Sequence, residues 1–306
     1  MEKKIIWQKT WVVCIIALIC CLLWGSAFPG IKIGYRLFEI PSDNWNVQLL
    51  FAGIRFVLAG VLVIIIGSVI NKKILVPKRS SFSKIAVLGL FQTLLQYIFF
   101  YIGLAHTTGF KASVINAVNV FFSLLIASLI FHQEKLTIKK IIGCIIGFSG
   151  VVYINMSGAG GAAGINWGDV CIICTAASAA FSSVFAKIFS KYEDPVTLSG
   201  YQFVFGGILL TLIGLISGGR LQNVTYASIG ILLYLAFVSA VAYSLWGILL
   251  KYNDVSRVTV FGFINPVFGV ILSGIFLGEG EQAFSLQSLI ALILVSVGIY
   301  VVNIKK

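Results

Sequence analysis

The side chains of this sequence that could do chemistry are amides, phenols and indoles set within long apolar segments. Gln92, Gln96, Tyr97 and Tyr101 recur at helical spacing (i, i+4, i+5, i+9), so they share one face of a helix. A later apolar segment carries a second polar and aromatic face that includes Tyr243. Polar groups have no reason to face lipid, so both faces should point inward, toward each other or toward water. Groups of these types recognise a solute through hydrogen bonds and ring contacts.

These residues predict a central cavity that binds a small amphipathic solute. Aromatic rings would cover the apolar body of the solute, and amide side chains would bind its polar end. The alternative is hydrogen bonding between packed helices, which contributes only about 0.6 kcal/mol per pair on average in membranes. The candidate substrate-binding residues are Trp24, Ser26, Gln96, Tyr97, Asn116, Asn119, Tyr243 and Asn265.

Arg55 is a charge within an apolar segment, about eight residues or ~12 Å of helix from its start. An intramembrane charge marks a functional site by default. Its guanidinium could equally lock helices together through five hydrogen-bond donors. We favour the structural role on sequence grounds, and the binding role stays open.

Composition places the chain in a membrane. Of its 306 residues, 59% are hydrophobic and 10% are charged, with a mean hydropathy of +1.03. A soluble domain carries about a quarter charged residues. Apolar runs of about 20 residues can cross the hydrocarbon core as helices. We predict an all-α integral membrane protein with ten transmembrane helices, near residues 11–33, 47–70, 82–105, 109–131, 138–155, 168–190, 199–218, 227–250, 257–277 and 285–303.

The second half of the chain repeats the first at an offset of about 147 residues. Residues 55–57 (Arg-Phe-Val) align with 202–204 (Gln-Phe-Val), and Gly60 aligns with Gly207. A duplicated unit with an odd number of spans is inverted in the bilayer, and such repeats bind substrate between them near the midplane. We predict two inverted five-helix repeats, residues 1–157 and 165–306, joined by the glycine-rich linker Asn155–Gly168. The first, third, fourth, sixth, eighth and ninth helices should wall the cavity.

The basic residues predict the orientation of the chain. Seventeen of the 22 Lys and Arg residues lie at the helix ends on the side of the N-terminus, and Arg55 lies within a span. The opposite helix ends carry four, Lys32, Arg36, Lys111 and Arg220. Because basic loops stay in the cytoplasm, we expect a multi-pass protein of the cell membrane with both termini cytoplasmic. The net charge of +12 is then a topology signal, and no nucleic-acid partner is expected.

Other classes of membrane protein would leave different patterns. An enzyme needs clustered carboxylates, histidines or a nucleophile–base pair, whereas the ten acids flank the spans singly or in loose pairs. An ion channel usually carries a ring of charged side chains or a carbonyl filter, and the sequence shows neither pattern. The six cysteines lie in apolar spans, without a histidine or second pair to complete a metal site. We therefore predict no enzyme activity, no metal and no cofactor.

Several segments resemble a known family. The run from Leu23 to Lys32 (LWGSAFPGIK) is similar to the first-helix signature of EamA-type proteins in the drug/metabolite transporter superfamily. Arg55-Phe56 fits the start of that family's second helix. Residues 109–136 and 263–279 both resemble its fourth-helix pattern of small residues followed by a terminal glutamate. The resemblance covers nearly the whole chain.

This resemblance implies a secondary transporter of small metabolites built from two EamA-like repeats. It favours an exporter of amino acids or similar amphipathic solutes that works by alternating access. The alternative is an uptake permease or a facilitator for a small metabolite. The expected partners are a small-molecule substrate and the lipid bilayer, and we expect a functional monomer.

Two features depart from the family pattern. Asn119 stands where the second repeat has Pro266, which predicts a fourth helix without the expected kink. No acidic residue lies between Trp11 and Phe38, so the first-helix glutamate that couples drug export to protons in small multidrug members has no counterpart. We predict that transport does not rely on a carboxylate deep within a span.

Overall fold

The computed structural model describes residues 6–132, 136–156, 164–253, 258 and 260–303. This part of the chain is helical and contains no β-strand. Ten long helices follow one another along the sequence: α1 (Thr10–Leu37), α2 (Trp45–Ile70), α3 (Arg79–Ala105), α4 (Gly109–Ile130), α5 (Ile138–Met156), α6 (Trp167–Phe189), α7 (Pro195–Ile216), α8 (Tyr226–Tyr252), α9 (Ile264–Leu277) and α10 (Leu286–Asn303).

These helices confirm the predicted all-α membrane architecture. Eight of them are long and apolar enough to cross a membrane, and α9 and α10 are shorter apolar helices. α7 begins at Pro195 rather than near residue 199. The reason is local, because the Asp194 carboxylate accepts a hydrogen bond from the Val196 N–H and Pro195 suits the first helical turn, where no backbone donor is needed.

The helices alternate in direction, so their ends lie at two opposite faces of the bundle. We call the face at which α1 begins the near face, and the opposite one the far face. On the near face, the Asn253 amide donates to the Trp7 carbonyl at 2.9 Å, joining the end of α8 to the start of α1. On the far face, the Asn46 amide donates to the Ser217 carbonyl at 2.8 Å, joining the start of α2 to the end of α7. Both contacts link the two halves of the chain.

α2 packs against α7 through glycines that the repeat relates. A Cβ added at Gly60 would lie 2.6 Å from the Gly200 carbonyl oxygen, and one added at Gly207 would lie 3.0 Å from the Gly53 oxygen. Gly53 and Gly200 are separated by the same offset as Gly60 and Gly207, so an inverted two-fold axis exchanges the two contacts. Small residues let the helix backbones approach closely. The repeat limits at residues 157 and 165 stay a prediction, because residues 157–163 of the linker lie outside the described residues.

A methyl group at Gly60 is expected to destabilise the protein. In Gly60→Ala the new Cβ would overlap the backbone of α7, and forced overpacking typically costs about 1–3 kcal/mol. Gly230→Ala is the matched control, because among the described residues no atom beyond its own helix backbone would lie within 4 Å of the Cβ. Alanine stabilises an open helix position by about 0.5–1 kcal/mol. Thermal unfolding in detergent should give a lower midpoint for Gly60→Ala only, and equal midpoints would contradict the close packing of α2 on α7.

α4 is interrupted at the level of the cavity described below. Its α-helical hydrogen bonding stops at Asn116 and resumes at Asn119. Between these residues the N–H groups of Ala117 and Val118 bond to carbonyls three residues earlier, which is the tighter 3-10 geometry. A 3-10 turn therefore interrupts the fourth helix without a proline, and the predicted absence of a kink there stays a prediction.

α9 has a matching irregularity at its start. A 3-10 turn, Val260–Phe263, precedes α9, and Pro266 lies in the first turn of the helix. A proline in a first turn removes little intrahelical hydrogen bonding, so Pro266 is compatible with a regular α9. The two irregular segments lie in equivalent parts of the two repeats.

Candidate functional site

A cavity of about 830 Å³ lies between the two halves of the chain. Its walls include α1, α3, α4, α6, α8 and α9, together with Arg55 of α2 and the starts of α5 and α7. Pockets of this size hold small-molecule ligands. Seven of the predicted binding residues lie at its wall: Trp24, Gln96, Tyr97, Asn116, Asn119, Tyr243 and Asn265.

Four aromatic rings, two from each repeat, pack together, and two of them, Tyr97 and Tyr243, line the cavity. Phe56 and Phe203 stack with their centroids 5.3 Å apart. Tyr97 packs on Phe56 at 4.2 Å, and Tyr243 meets Phe203 edge-on at 5.1 Å. The hydroxyls of Tyr97 and Tyr243 lie 2.8 Å apart, within hydrogen-bond distance. Phe56 and Phe203 occupy equivalent positions of the two repeats, and their contact joins the repeats beside the cavity.

Three side chains at the cavity wall carry polar atoms without a partner. Trp24 packs edge-on against Tyr243 at 5.3 Å and Trp246 at 5.0 Å, which fixes its ring. Its Nε1, the Oδ1 of Asn116 and the Oδ1 of Asn265 are buried, and no hydrogen-bond partner for them lies among the described residues. Buried polar atoms are normally satisfied, so these three are available to a ligand or to water.

Gln96 and Asn119 complete the wall on the first-repeat side. Gln96 follows a stretch of π-helix, Leu90–Leu95, of the kind often found at functional sites. Its Nε2 lies 3.5 Å from the Tyr243 hydroxyl, at the upper limit for a hydrogen bond, so the amide is only weakly held. Asn119 begins the second segment of α4, beyond the 3-10 turn.

The structure does not bring Ser26 to the cavity. Its hydroxyl donates to the Leu23 carbonyl at 2.7 Å and lies 2.6 Å from the Tyr234 hydroxyl of α8. Ser26 follows Trp24 by two residues, which turns its side chain by about 200° around α1. Because Trp24 faces the cavity, Ser26 faces away from it. The prediction of Ser26 as a binding residue is corrected, since its hydroxyl joins α1 to α8.

Arg55 lies at the end of the cavity that is toward the far face, and it is 2% exposed. Its Nε donates to the Leu235 carbonyl at 3.1 Å, its Nη1 to the Tyr101 hydroxyl at 2.7 Å, and its Nη2 to the Ser239 hydroxyl at 2.8 Å. The guanidinium thus joins α2 to α3 and to α8 of the other repeat. These contacts support the locking role favoured from the sequence, and its place at the cavity wall keeps the binding role open.

The cavity opens toward the near face. Its wall continues there to Lys139, which is exposed, and to Lys187 at the end of α6. The first helix aligns with the sixth at a slightly larger offset of 155 residues, which pairs Lys32 with Lys187 and Arg36 with Lys191. Lys32 lies toward the far face and is not among the described residues that line the cavity. Lys187 therefore borders the open mouth of the cavity at the near face, whereas Lys32 borders no opening of this cavity.

Packed aromatic rings close the cavity toward the far face. Phe38 and Tyr35 contact Phe51 with centroids 5.4 and 6.1 Å apart, and Phe51 contacts Tyr101 at 6.0 Å. All four rings are buried. The Tyr35 hydroxyl donates to the Tyr101 carbonyl at 2.8 Å. A solute in the cavity could not pass this cluster without a rearrangement of the helices.

Two carboxylates join the repeats at the far face. The Lys111 ammonium lies 2.8 Å from the Asp169 carboxylate, with side chains 3% and 0% exposed. Asp169 also accepts from the Thr107 hydroxyl at 2.9 Å. The Glu279 carboxylate accepts hydrogen bonds from the N–H groups of Gly109 and Phe110, at 3.1 and 3.2 Å. We call the Lys111–Asp169 ion pair and the Glu279 hydrogen bonds the far-face contacts.

Sequence reasoning missed the far-face contacts. It placed Lys111 and Asp169 separately at helix ends. The capping box at the start of α6, in which Asn166 and Asp169 bond each other's backbone N–H groups, is recognisable as a helix start. No local pattern indicates that the same carboxylate also meets a lysine from the other repeat.

One carboxylate joins the repeats at the near face. Glu193 accepts hydrogen bonds from the Lys78 N–H and the Ser81 hydroxyl, each at 2.9 Å, and from the Asp194 N–H at 3.0 Å. Partial burial raises the pKa of Glu193, but the backbone donors of Lys78 and Asp194 and the Ser81 hydroxyl outweigh it, so the pKa lies below its ordinary value. Glu193 is therefore charged at neutral pH and holds the α2–α3 loop on the α6–α7 loop.

The chain is similar to transporters along nearly its whole length. The sequence profile of the EamA-like transporter family matches residues 11–156 and 166–304. An uncharacterized transporter of Archaeoglobus fulgidus is 29% identical, over 98% of this chain and 100% of its own. The uncharacterized inner membrane transporter YedA of Escherichia coli K12 is 27% identical, over 93% of this chain and 88% of its own. A crystal structure with 18% sequence identity has the same fold, with a TM-score of 0.68 over 94% of this chain and 95% of that one.

Proposed function

The chain belongs to the EamA-like transporter family, and we propose that its central cavity carries a small amphipathic solute across the membrane by alternating access. The observation that carries this proposal is a cavity between two inverted halves, open toward the near face and closed toward the far face. Inverted repeats can rock around such a site and expose it to either side in turn.

The wall of the cavity supports an amphipathic solute rather than a bare ion. The rings of Trp24, Tyr97 and Tyr243 offer an apolar surface, and the unpartnered oxygens of Asn116 and Asn265 offer hydrogen-bond acceptors. A bare ion would need a closer shell of oxygen or charged ligands. We propose that these residues contact the solute directly.

We propose that the direction of transport is export and that the substrates are amino acids or similar solutes, because the sequence resembles EamA-type proteins. The near face would then be cytoplasmic, and the conformation described here would load its solute from inside the cell. The alternative is uptake by a permease or facilitator with the same cavity. The bias of basic residues toward the near face supports a cytoplasmic near face at the cell membrane.

An untargeted comparison of metabolites tests the transport proposal. Solutes would be measured inside and outside cells that overexpress the protein, cells that lack it, and cells that express Tyr243→Ala at equal amounts. An exporter should raise the external level of at least one amphipathic solute and lower its internal level, and Tyr243→Ala should reduce the change. The opposite redistribution would favour the uptake alternative. No difference between the overexpressing and deficient cells would contradict transport of any cellular metabolite.

Cysteine labelling tests the orientation. Gln222 on the far face and Lys73 on the near face are both exposed, and each would be replaced by cysteine. A membrane-impermeant thiol reagent added to intact cells should label Gln222→Cys but not Lys73→Cys. The parent chain with its six native cysteines is the background control. Labelling of Lys73→Cys alone would reverse the assigned orientation.

A further inference from the structure

Arg55 is a buried cation at the cavity wall, and no carboxylate of the described residues forms an ion pair with it. Among the described residues its hydrogen-bond acceptors are neutral, two hydroxyls and one backbone carbonyl, and none of its contacts is an ion pair. A guanidinium has five N–H donors. Three are used within the described part of the chain, which leaves one N–H on Nη1 and one on Nη2 for another partner.

Lys111, the second buried cation among the described residues, has the counter-charge that Arg55 lacks. Lys111 is 3% exposed and has the Asp169 carboxylate at 2.8 Å. Arg55 is 2% exposed and has instead the rings of Phe56 and Tyr97, with its Cζ 5.0 and 6.0 Å from their centroids. Cation–π contacts stabilise a charge far less than the desolvation of an isolated charge destabilises it. An anion at Arg55 would supply the missing compensation.

The equivalent position in the second repeat shows that the packing does not require a charge. Gln202 occupies this position on α7 and is fully buried. Its Oε1 accepts a hydrogen bond from the Thr93 hydroxyl of α3 at 2.6 Å. A neutral amide therefore makes the corresponding contact between repeats. The first repeat thus carries a charge on α2, at the cavity wall, where the second repeat has a neutral side chain on α7.

We infer that Arg55 binds a carboxylate group of the transported solute, so that the substrate class is a carboxylate-bearing solute with an apolar body, amino acids included. This inference rests on the proposed transport function and names its substrate class. A planar carboxylate matches the paired donors of a guanidinium, and the Trp24 indole N–H is a further donor at the cavity wall. The aromatic wall beside Arg55 would hold the apolar body. The Tyr101 and Ser239 hydroxyls fix the guanidinium in place for this contact.

Binding of a matched pair of probes to the purified protein tests the inference. Phenylacetate and phenylacetamide have nearly the same shape, and only the former carries a charge. Their affinities would be measured in detergent from the concentration dependence of the thermal unfolding midpoint. The wild-type protein should bind phenylacetate at least about tenfold more tightly than phenylacetamide, which corresponds to one charge-assisted contact.

Two substitutions of Arg55 assign that preference to the guanidinium. Arg55→Gln copies Gln202 and should remove the preference for phenylacetate while the protein stays monodisperse. Arg55→Lys keeps the charge without the planar fork and should retain a weaker preference. Equal binding of the two probes by the wild type, binding of neither, or an unchanged preference in Arg55→Gln would overturn the inference. If neither variant can be purified, the preference of the wild type decides.

The outcome is separable from the transport proposal. If the metabolite comparison finds transported solutes that all lack a carboxylate, the transport proposal is retained and the inference about Arg55 is rejected. If it finds no transported solute, the transport proposal itself falls.

Discussion

Asp169→Asn is expected to destabilise the folded protein by about 3–5 kcal/mol, the range seen when one partner of a buried ion pair is removed. The substitution leaves the Lys111 ammonium buried without a counter-charge, because the side chains of the pair are 3% and 0% exposed. Asparagine can still accept the hydrogen bond of the α6 capping box, so helix capping contributes little to the loss. The measurement is chemical or thermal unfolding in a mild detergent.

A second ion pair provides the control for this prediction. Lys251 and Asp194 lie 2.9 Å apart at the near face, but their side chains are 36% and 40% exposed. Asp194→Asn should therefore change stability by less than about 1 kcal/mol. The double variant Lys111→Met/Asp169→Asn should recover part of the loss, because no unpaired charge remains. Equal effects of Asp169→Asn and Asp194→Asn would show that the Lys111–Asp169 pair is not buried in the membrane-embedded protein.

Tyr243→Ala is expected to reduce transport at least about tenfold, through weaker solute binding. The change removes the ring contact with Trp24 and the hydroxyl contact with Tyr97, both at the cavity wall, and the ring contact with the buried Phe203. A loss of about 1.4 kcal/mol in binding corresponds to tenfold in affinity. The rate of solute flux into proteoliposomes at several solute concentrations would separate affinity from turnover.

Phe237→Ala is the matched control for Tyr243→Ala. Phe237 lies on the same helix, is 48% exposed and faces away from the cavity. Its replacement should leave the affinity for the solute unchanged. Full activity of Tyr243→Ala, together with impaired transport by Phe237→Ala, would reject the assignment of the cavity as the binding site.

Composition and periodicity were sufficient to predict the fold. The apolar runs gave ten helices, and the pairing of Gly60 with Gly207 indicated an inverted repeat that the packing of α2 on α7 supports. Both signals are local or periodic, so they can be recognised in the sequence alone. The interruption of α4 was missed because it arises from 3-10 hydrogen bonding at Ala117 and Val118, which no proline or glycine marks.

The sequence predicted most of the residues that line the cavity, and their role in binding stays a prediction. The spacing of Gln96 and Tyr97 located one face of α3 correctly, and both line the cavity. Ser26 was misplaced because its position around α1 depends on a rotation that sequence alone does not fix. The Lys111–Asp169 pair joins residues 58 positions apart, and such contacts leave no local pattern.

Alternating exposure of the cavity is the central claim, and paired distance measurements test it most directly. Spin labels at Lys139 and Lys191 span the open mouth at the near face. Their repeat equivalents, Leu286 and Arg36, are exposed at the far face and would carry a second pair of labels in a separate sample. In Glu279→Ala, which lacks the hydrogen bonds to the start of α4, closure of the far face should weaken.

Double electron–electron resonance in lipid nanodiscs would compare both distances in the parent chain and in Glu279→Ala. We expect the population with a longer far-face distance and the population with a shorter near-face distance to rise together in Glu279→Ala. Near-face and far-face distances that stay constant, or that lengthen together, would contradict alternating access around this cavity.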